Sequence, residues 1–191
     1  QSDCKNFNPF DLKRGVGRPF DISDGYLVVM QHSVTTEYKD SMYQINQTLE
    51  AIRNLKIPTF WFWPNVDAGS DRISKGIRIF RENDSVPFIY FFKNLSPEDF
   101  LKLLINSKCL IGNSSSGIRE CSFLGVPVVN IGNRQRGRKR GKNVIDVNYS
   151  KPDIISAIKK QIKKGKYKSG NIYGDGNSGI KIARILAKID L

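Results

Sequence analysis

The sequence predicts an α/β domain built on an open parallel sheet with helices on both faces. Short runs that are almost continuously apolar alternate with longer stretches whose apolar residues repeat at helical spacing. Runs of the first kind are typical of strands buried on both faces of a parallel sheet. The chain has 191 residues, 39% of them hydrophobic, which suits one substantial domain and is short for two. This pattern indicates a Rossmann-like, doubly wound domain.

The elements follow one another in a regular order. The predicted strands are 26–31, 59–63, 87–92, 109–112, 126–131 and 143–147. Helical spacing of apolar residues occurs in 42–55, 73–80, 100–104 and 154–162. Before the third of these, Ser96 and Pro97 are typical of an N-cap followed by the first helical turn. Residues 1–24, with prolines and glycines among polar residues, are predicted to be an N-terminal arm or interdomain linker, and residues 25–191 the domain.

Right-handed crossovers place all strand-to-helix turns along one edge of such a sheet, where ligands bind. The first turn holds His32, the only histidine of the chain. At a strand end, a ligand-facing histidine is favoured over one that is satisfied within its own turn. The second turn carries Asn65, Asp67 and Ser70. For Asp67 or Ser70 alone, capping the next helix is the simpler interpretation.

The third turn is rich in serine and follows the short strand 109–112. Backbone N–H groups at a helix N-terminus, together with hydroxyls and a glycine, form an anion site that suits phosphate. The residues predicted to form it are Ser114, Ser115, Ser116 and Gly117. Glu120 lies about one helical turn further on, where its carboxylate can accept from sugar hydroxyls. A serine-rich turn also caps helices in many proteins, so the preceding buried strand gives this prediction its weight.

The fourth turn begins a basic loop at Arg134 that runs to Lys142. Arginine binds phosphate oxygens with two hydrogen bonds, so this loop can complete a diphosphate clamp. The chain carries 31 Lys and Arg against 18 Asp and Glu, a net charge of +13, which favours an anionic partner. A solvated basic surface is an equally plain interpretation of that charge. Nucleic acid is disfavoured because the nearby aromatic residues lie in predicted buried strands rather than on a stacking surface.

The three cysteines have no metal-ligand spacing. Cys109 and Cys121 stand among apolar residues, which suggests buried free thiols and fits a reducing cytoplasm. No apolar run approaches the roughly 20 residues that cross a bilayer, and no signal peptide is recognisable. We therefore expect a cytoplasmic protein that does not span a membrane. Because the sequence begins with glutamine, we also expect it to be part of a longer protein.

Four motifs in this order resemble the C-terminal half of hydrolysing UDP-N-acetylglucosamine 2-epimerases, enzymes of sialic-acid biosynthesis. They are residues 31–37 (QHSVTTE), 64–70 (PNVDAGS), 112–120 (GNSSSGIRE) and 173–177 (YGDGN). The resemblance implies one half of a glycosyltransferase-B-like, two-domain fold. It also implies a reaction that splits UDP-N-acetylglucosamine into UDP and a glycal-type intermediate, and then adds water to give N-acetylmannosamine. No metal or other cofactor is implied.

The resemblance also implies roles for individual residues. His32 would contact the diphosphate and be needed for activity, as the catalytic residue of this half. The implied UDP-binding residues are Asn65, Ser114, Ser115, Ser116, Gly117, Glu120 and Arg134. Lys75 and Arg78 match basic positions through which a nucleotide sialic acid regulates animal relatives, although a lysine departs from that pattern. The full-length parent would be a homo-oligomer.

Two departures from the family pattern matter. Ser33 stands where these enzymes usually have proline, and the N-terminal domain with the family's acid/base carboxylates is absent. We expect His32 beside phosphates to be protonated and a poor base. The isolated chain should therefore bind UDP and turn over no substrate. The alternatives are a non-hydrolysing epimerase, half of a retaining glycosyltransferase, and a nucleotide-binding module without catalysis.

Overall fold

The computed structural model describes residues 7–83 and 86–189, and these form seven strands and seven α-helices. Two short 3-10 helices, Pro9–Leu12 and Thr35–Asp40, precede strands and helices of the domain. The strands are β1 (Gly15–Val16), β2 (Leu27–Met30), β3 (Thr59–Phe62), β4 (Ile89–Phe92), β5 (Cys109–Gly112), β6 (Val128–Ile131) and β7 (Val144–Val147). The helices are α1 (Ser41–Leu55), α2 (Ser70–Asn83), α3 (Pro97–Asn106), α4 (Ser115–Ile118), α5 (Glu120–Leu124), α6 (Lys151–Lys164) and α7 (Ser178–Leu186).

The seven strands form one sheet in the order β1-β4-β3-β2-β5-β6-β7. Among strands β2 to β7, all neighbours pair in parallel. Strand β1 pairs antiparallel with β4 at one edge of the sheet. The six predicted strands are all present, each within two residues of its predicted ends. From β2, the strands β3 and β4 follow on one side of the sheet, and β5, β6 and β7 follow on the other. The direction of strand order therefore reverses between β2 and β5. The doubly wound fold class is confirmed, and this reversal is its ligand-binding position.

The sheet is covered on both faces, which explains why its strands are continuously apolar. Odd-numbered residues such as Val29 and Trp61 pack in one core cluster with α1, α2 and α6. Even-numbered residues such as Val28 and Phe60 pack in a second cluster with α3 and α5. Successive side chains of a strand point to opposite faces, so burial of both faces requires apolar residues at every position. Cys109 and Cys121 are fully buried free thiols within these clusters, as predicted.

The described part of the N-terminal segment, residues 7–24, lies against the sheet. The Phe10 ring lies 5.1 Å from the ring of Phe20, 5.3 Å from that of Phe60 and 5.2 Å from that of Tyr90. The segment also supplies β1, which the sequence analysis does not predict because two residues carry no periodicity. A Cβ on Gly15 would lie 2.0 Å from the Tyr90 ring. Only glycine therefore allows β1 to approach β4 this closely.

Two helical features differ from the sequence-based expectation. The helix after the serine turn is broken at Arg119 (φ −96°, ψ −74°), so α4 and α5 are separate and Glu120 begins α5. Helix α7 is not predicted either, and it has no buried residue. Its Ile185 and Leu186 side chains are 62% and 61% exposed. None of the described helices is long and apolar enough to cross a membrane.

Candidate functional site

The candidate site is built where β2 and β5 end side by side. Their last paired residues are Met30 and Gly112. Gly112 has φ +126°, and a Cβ there would lie 2.0 Å from the Met30 carbonyl oxygen. Glycine is therefore required at this position for β2 and β5 to lie this close before they diverge. The segments that follow β2 and β5 therefore lie side by side at the carboxyl edge of the sheet. They lead to His32 and to Ser114.

Hydrogen bonds then join the first three turns. The Asn113 amide accepts from the His32 backbone N–H (2.7 Å) and donates to the His32 carbonyl (2.8 Å). The His32 imidazole reaches the second turn, because its Nδ1 accepts from the Asn65 backbone N–H at 3.1 Å. The sequence-predicted residues His32 and Asn65 are therefore in direct contact, as parts of one site.

The fourth turn closes this arrangement into a ring. Arg134 Nη2 lies 3.5 Å from Asp67 Oδ2 in the second turn, and Arg134 Nη1 donates to the Asn113 carbonyl at 3.3 Å. Asn133 donates to the Glu37 carboxylate in the first turn. Asp67, for which helix capping was the simpler interpretation, is instead an ion-pair partner of Arg134. We call these four joined turns the turn ring.

His32 is a neutral donor in this environment. It is 4% exposed. The pKa of its imidazole is lowered to about 4, chiefly by burial and then by the charge of Arg134, while Asp67 opposes the shift. Because Nδ1 accepts a hydrogen bond, the neutral ring carries its proton on Nε2. Within the described part of the chain nothing accepts from Nε2. A second proton on Nδ1 would break the bond from Asn65, so the ring is neutral here. The protonated form that the sequence predicts applies to His32 beside bound phosphates and stays a prediction.

The serine turn caps its own helix. Ser114 Oγ accepts from the Ser116 N–H at 3.3 Å, and Ser114 has extended N-cap dihedrals (φ −69°, ψ 144°). Helix α4 has only four residues, so its macrodipole is small. The dipole of this helix therefore adds little to the predicted anion site. Any phosphate here depends on local N–H groups, on the half-exposed Ser115 and Ser116 hydroxyls, and on nearby Arg134.

Beside the serine turn lies a cavity of about 400 Å³, which we call the nucleoside-sized cavity. Its volume falls in the usual range for small-molecule sites. Buried Glu120 Oε2 has no hydrogen-bond partner within the described residues. An unpaired buried carboxylate oxygen is costly, and a ligand hydroxyl would satisfy it. The lining residues are Met30, Phe62, Trp63, Asn65, Lys93, Asn94, Leu95, Pro97, Phe100, Leu101, Ser116 and Glu120.

A second cavity, of about 470 Å³, is lined in part by Arg134. Seven of its eight lining residues are of polar type, among them Ser33, Asp67, Arg134 and Arg136. Ser33, which departs from the family pattern, is 2% exposed, and its Oγ has no partner in the part of the chain that the structure describes. Two guanidinium groups at this position favour a negatively charged ligand group.

The remaining basic loop is only partly a solvated extension. Arg136, Arg138, Lys139 and Lys142 are exposed, as expected. Arg140 instead donates through Nε to both oxygens of Asp146 (3.2 and 3.1 Å), and through Nη1 to the Gln135 carbonyl (2.9 Å). These bonds hold the loop against the end of β7 and so fix the position of Arg134.

Several residues of the site could not be identified from the sequence. Asn113 and Gln135 are buried and bonded to each other, with Gln135 Nε2 donating to the Asn113 carbonyl at 2.7 Å. Neither residue type signals a link between distant turns. Trp63 lies past the end of β3 and is half-buried on the cavity wall, not in a buried strand. Lys75 and Arg78 are exposed on α2 and line neither cavity.

The chain is similar to known proteins over most of its length. A family model described as UDP-N-acetylglucosamine 2-epimerase matches residues 11–187. The chain is 31% identical over 172 residues to UDP-N,N'-diacetylbacillosamine 2-epimerase (hydrolyzing) of Legionella pneumophila, with 90% of this chain and 45% of that protein covered. It is 28% identical over 180 residues to UDP-N-acetylglucosamine 2-epimerase of Neisseria meningitidis, with 94% and 46% covered. The chain thus spans about half the length of these curated relatives.

Solved structures show the same architecture. The UDP-GlcNAc 2-epimerase from Neisseria meningitidis bound to UDP-GlcNAc matches with a TM-score of 0.70 and 15% identity, over 98% of this chain and 49% of that one. The Methanocaldococcus jannaschii UDP-GlcNAc 2-epimerase in complex with UDP-GlcNAc and UDP matches with a TM-score of 0.66 and 20% identity, over 85% and 45%. The predicted fold, one half of a glycosyltransferase-B-like architecture, is confirmed.

Proposed function

Since the chain belongs to the UDP-N-acetylglucosamine 2-epimerase family, we propose that it is the UDP-binding domain of a hydrolysing enzyme of that family. The parent enzyme would convert UDP-N-acetylglucosamine or a diacetamido relative to the 2-epimeric free sugar and UDP, for biosynthesis of sialic-acid-type sugars. One observation carries the binding proposal. Glu120 has an unpaired carboxylate oxygen at the cavity that adjoins the serine turn.

We place the nucleoside in the nucleoside-sized cavity. Phe62 and Phe100 offer apolar surface there for a flat base, and the Glu120 carboxylate would accept from ribose hydroxyls. The diphosphate would follow onto Ser114, Ser115, Ser116 and Gly117, where backbone N–H groups and hydroxyls are donors. His32 Nε2–H and the Arg134 guanidinium would donate to the same oxygens, because the turn ring holds both beside the serine turn.

The hydrolysing reaction is favoured by the Legionella relative, whose name specifies hydrolysis. Elimination needs a leaving group that is stabilised as it departs, and donors on the diphosphate supply that stabilisation. A non-hydrolysing epimerase or half of a retaining glycosyltransferase would use the same UDP site with another outcome at the sugar. A binding module would use it without any reaction.

Removal of the C2 proton of the sugar needs a base that His32 cannot provide in this geometry. Nδ1 accepts from Asn65, and Nε2 already carries the proton. The base would come from a further domain, in keeping with the half-length match to the curated relatives. The exposed apolar residues of α7 offer a surface that such a domain would cover, since large apolar patches mark interaction sites. A cytoplasmic location and a homo-oligomeric parent remain predictions.

Titration calorimetry tests the binding proposal. UDP should bind the chain, and Ser115→Leu should weaken binding about tenfold or more, because the larger side chain occupies phosphate space. Ser156→Leu, on the exposed face of α6, is the matched control and should leave the affinity unchanged. Equal affinities in all three proteins would place UDP elsewhere. No heat of binding in any of them would refute UDP as the ligand.

A further inference from the structure

Asn113 joins three of the four turns through four hydrogen bonds. It is fully buried directly after β5. Its side-chain amide makes two hydrogen bonds to the backbone of His32, at 2.7 and 2.8 Å. The backbone carbonyl of Asn113 accepts from Gln135 Nε2 (2.7 Å) and from Arg134 Nη1 (3.3 Å). One residue thereby joins the histidine turn, the serine turn and the basic loop.

The two amide bonds prolong the pairing of β2 with β5 beyond its last backbone pair, Met30 with Gly112. An acceptor and a donor on one rigid plane hold the His32 backbone in orientation as well as in position. The direction of the His32 side chain follows from that backbone. Its imidazole consequently presents Nδ1 to the Asn65 N–H at 3.1 Å. If the His32 backbone rotated, Nδ1 would no longer accept from Asn65. Nothing would then favour the Nε2–H tautomer over the Nδ1–H tautomer.

We propose that Asn113 is a positioning residue, which holds His32 as the Nε2–H tautomer beside residues 114–117. This assignment rests on the proposed function only where the Nε2–H group donates to a diphosphate. Asn113 itself is buried and would not touch the ligand. Its effect on binding would pass through His32 and Arg134, the two donors that it fixes relative to the serine turn.

A purely structural role is the competing explanation, and Asn143 provides the matched control. Asn143 is also buried, 3% exposed, and its amide donates to a backbone carbonyl, that of Val126, at 2.8 Å. It lies before β7, away from His32. Replacing either asparagine by alanine removes buried hydrogen bonds and destabilises the fold, but only Asn113→Ala should alter the imidazole.

The measurement is a long-range ¹H–¹⁵N spectrum of the imidazole at pH 7. Because the chain has one histidine, the signals belong to His32 without assignment. Wild type and Asn143→Ala should show one tautomer, with the proton on Nε2. Asn113→Ala should show both nitrogen shifts moving towards their average, as the two tautomers exchange. Its UDP affinity should fall roughly tenfold, as expected for one impaired hydrogen bond.

A folded Asn113→Ala protein with an unchanged tautomer would overturn the proposal. If that variant does not fold, Asn113→Ser keeps a small polar side chain in the turn and takes its place. Failure of both variants to fold, while Asn143→Ala folds, would give Asn113 a structural role and also overturn the proposal. If wild type shows the expected tautomer and binds no UDP, the proposed function fails while the positioning role stands.

Discussion

His32 shows how burial and one backbone hydrogen bond decide the chemistry of a side chain. Its pKa is lowered to about 4, chiefly by burial and then by the Arg134 charge. Asn65 occupies Nδ1. The ring is thus a hydrogen-bond donor through Nε2, and it is neither a cation nor a free base at neutral pH. A neutral donor still stabilises a phosphate oxygen, although less than a cation would.

The lowered pKa predicts a specific loss of stability in acid. The unfolded chain has a His pKa near 6.5 and the folded chain about 4. Between these values the unfolded state binds more protons, so the contribution of His32 is complete above pH 6.5 and declines as the pH falls towards 4. Urea unfolding at pH 7.5 and pH 4.5 should show this as a loss of roughly 2–3 kcal/mol. His32→Gln should lack that part of the loss, and identical losses in both proteins would contradict the assignment.

Glu120 is the residue whose charge the proposed ribose contact would need most. Glu120→Gln keeps the shape of the side chain and removes a charge-assisted acceptor, so UDP binding should weaken by roughly 1–3 kcal/mol. Calorimetry with UDP measures the change directly. Glu82→Gln, exposed on α2, should bind like wild type. If Glu120→Gln also binds like wild type, the carboxylate does not touch the ligand.

Among the elements, the N-terminal segment contributes most beyond expectation. Phe10 packs on Phe20, Phe60 and Tyr90, and β1 completes the edge of the sheet. Phe10→Ala should lower the free energy of unfolding by about 2 kcal/mol, less than for a fully buried phenylalanine. Val16→Ala, at a side chain that is 56% exposed, should change it by less than about 0.5 kcal/mol. Equal stability of the two variants would show that the segment is only loosely attached.

The main strands are predictable because burial of both sheet faces gives continuous apolar runs, and the helices because burial of one face gives helical spacing. The serine turn is predictable in place but not in form, since the break at Arg119 leaves no local signal that separates α4 from α5. The turn ring could not be predicted. Contacts such as Arg134 with Asp67 join residues 67 positions apart, and they depend on how neighbouring strands are ordered. The role of Asn113 could not be predicted either, because its bonds to His32 also join distant parts of the sequence.

At the scale of the whole molecule, binding and catalysis are expected to separate. The isolated chain should bind UDP and release none from UDP-N-acetylglucosamine, because a base for the C2 proton is not provided by His32. The full-length parent should release UDP and N-acetylmannosamine or its diacetamido counterpart, and His32→Ala in the parent should abolish the release. A coupled assay for UDP distinguishes these cases. Turnover by the isolated chain would reveal a base among its own residues.

The most direct test of the central claim is a ¹H–¹⁵N correlation spectrum of the labelled chain during addition of UDP. The claim is that UDP binds where β2 and β5 part. The account predicts saturable shifts in the amides of His32, Asn65, Gly117 and Glu120, together with a downfield shift of the His32 Nε2–H as it donates to phosphate. Uridine should shift the Glu120 amide and leave the His32 Nε2–H in place. Saturable shifts confined to α7, or no shifts at millimolar UDP, would contradict the account.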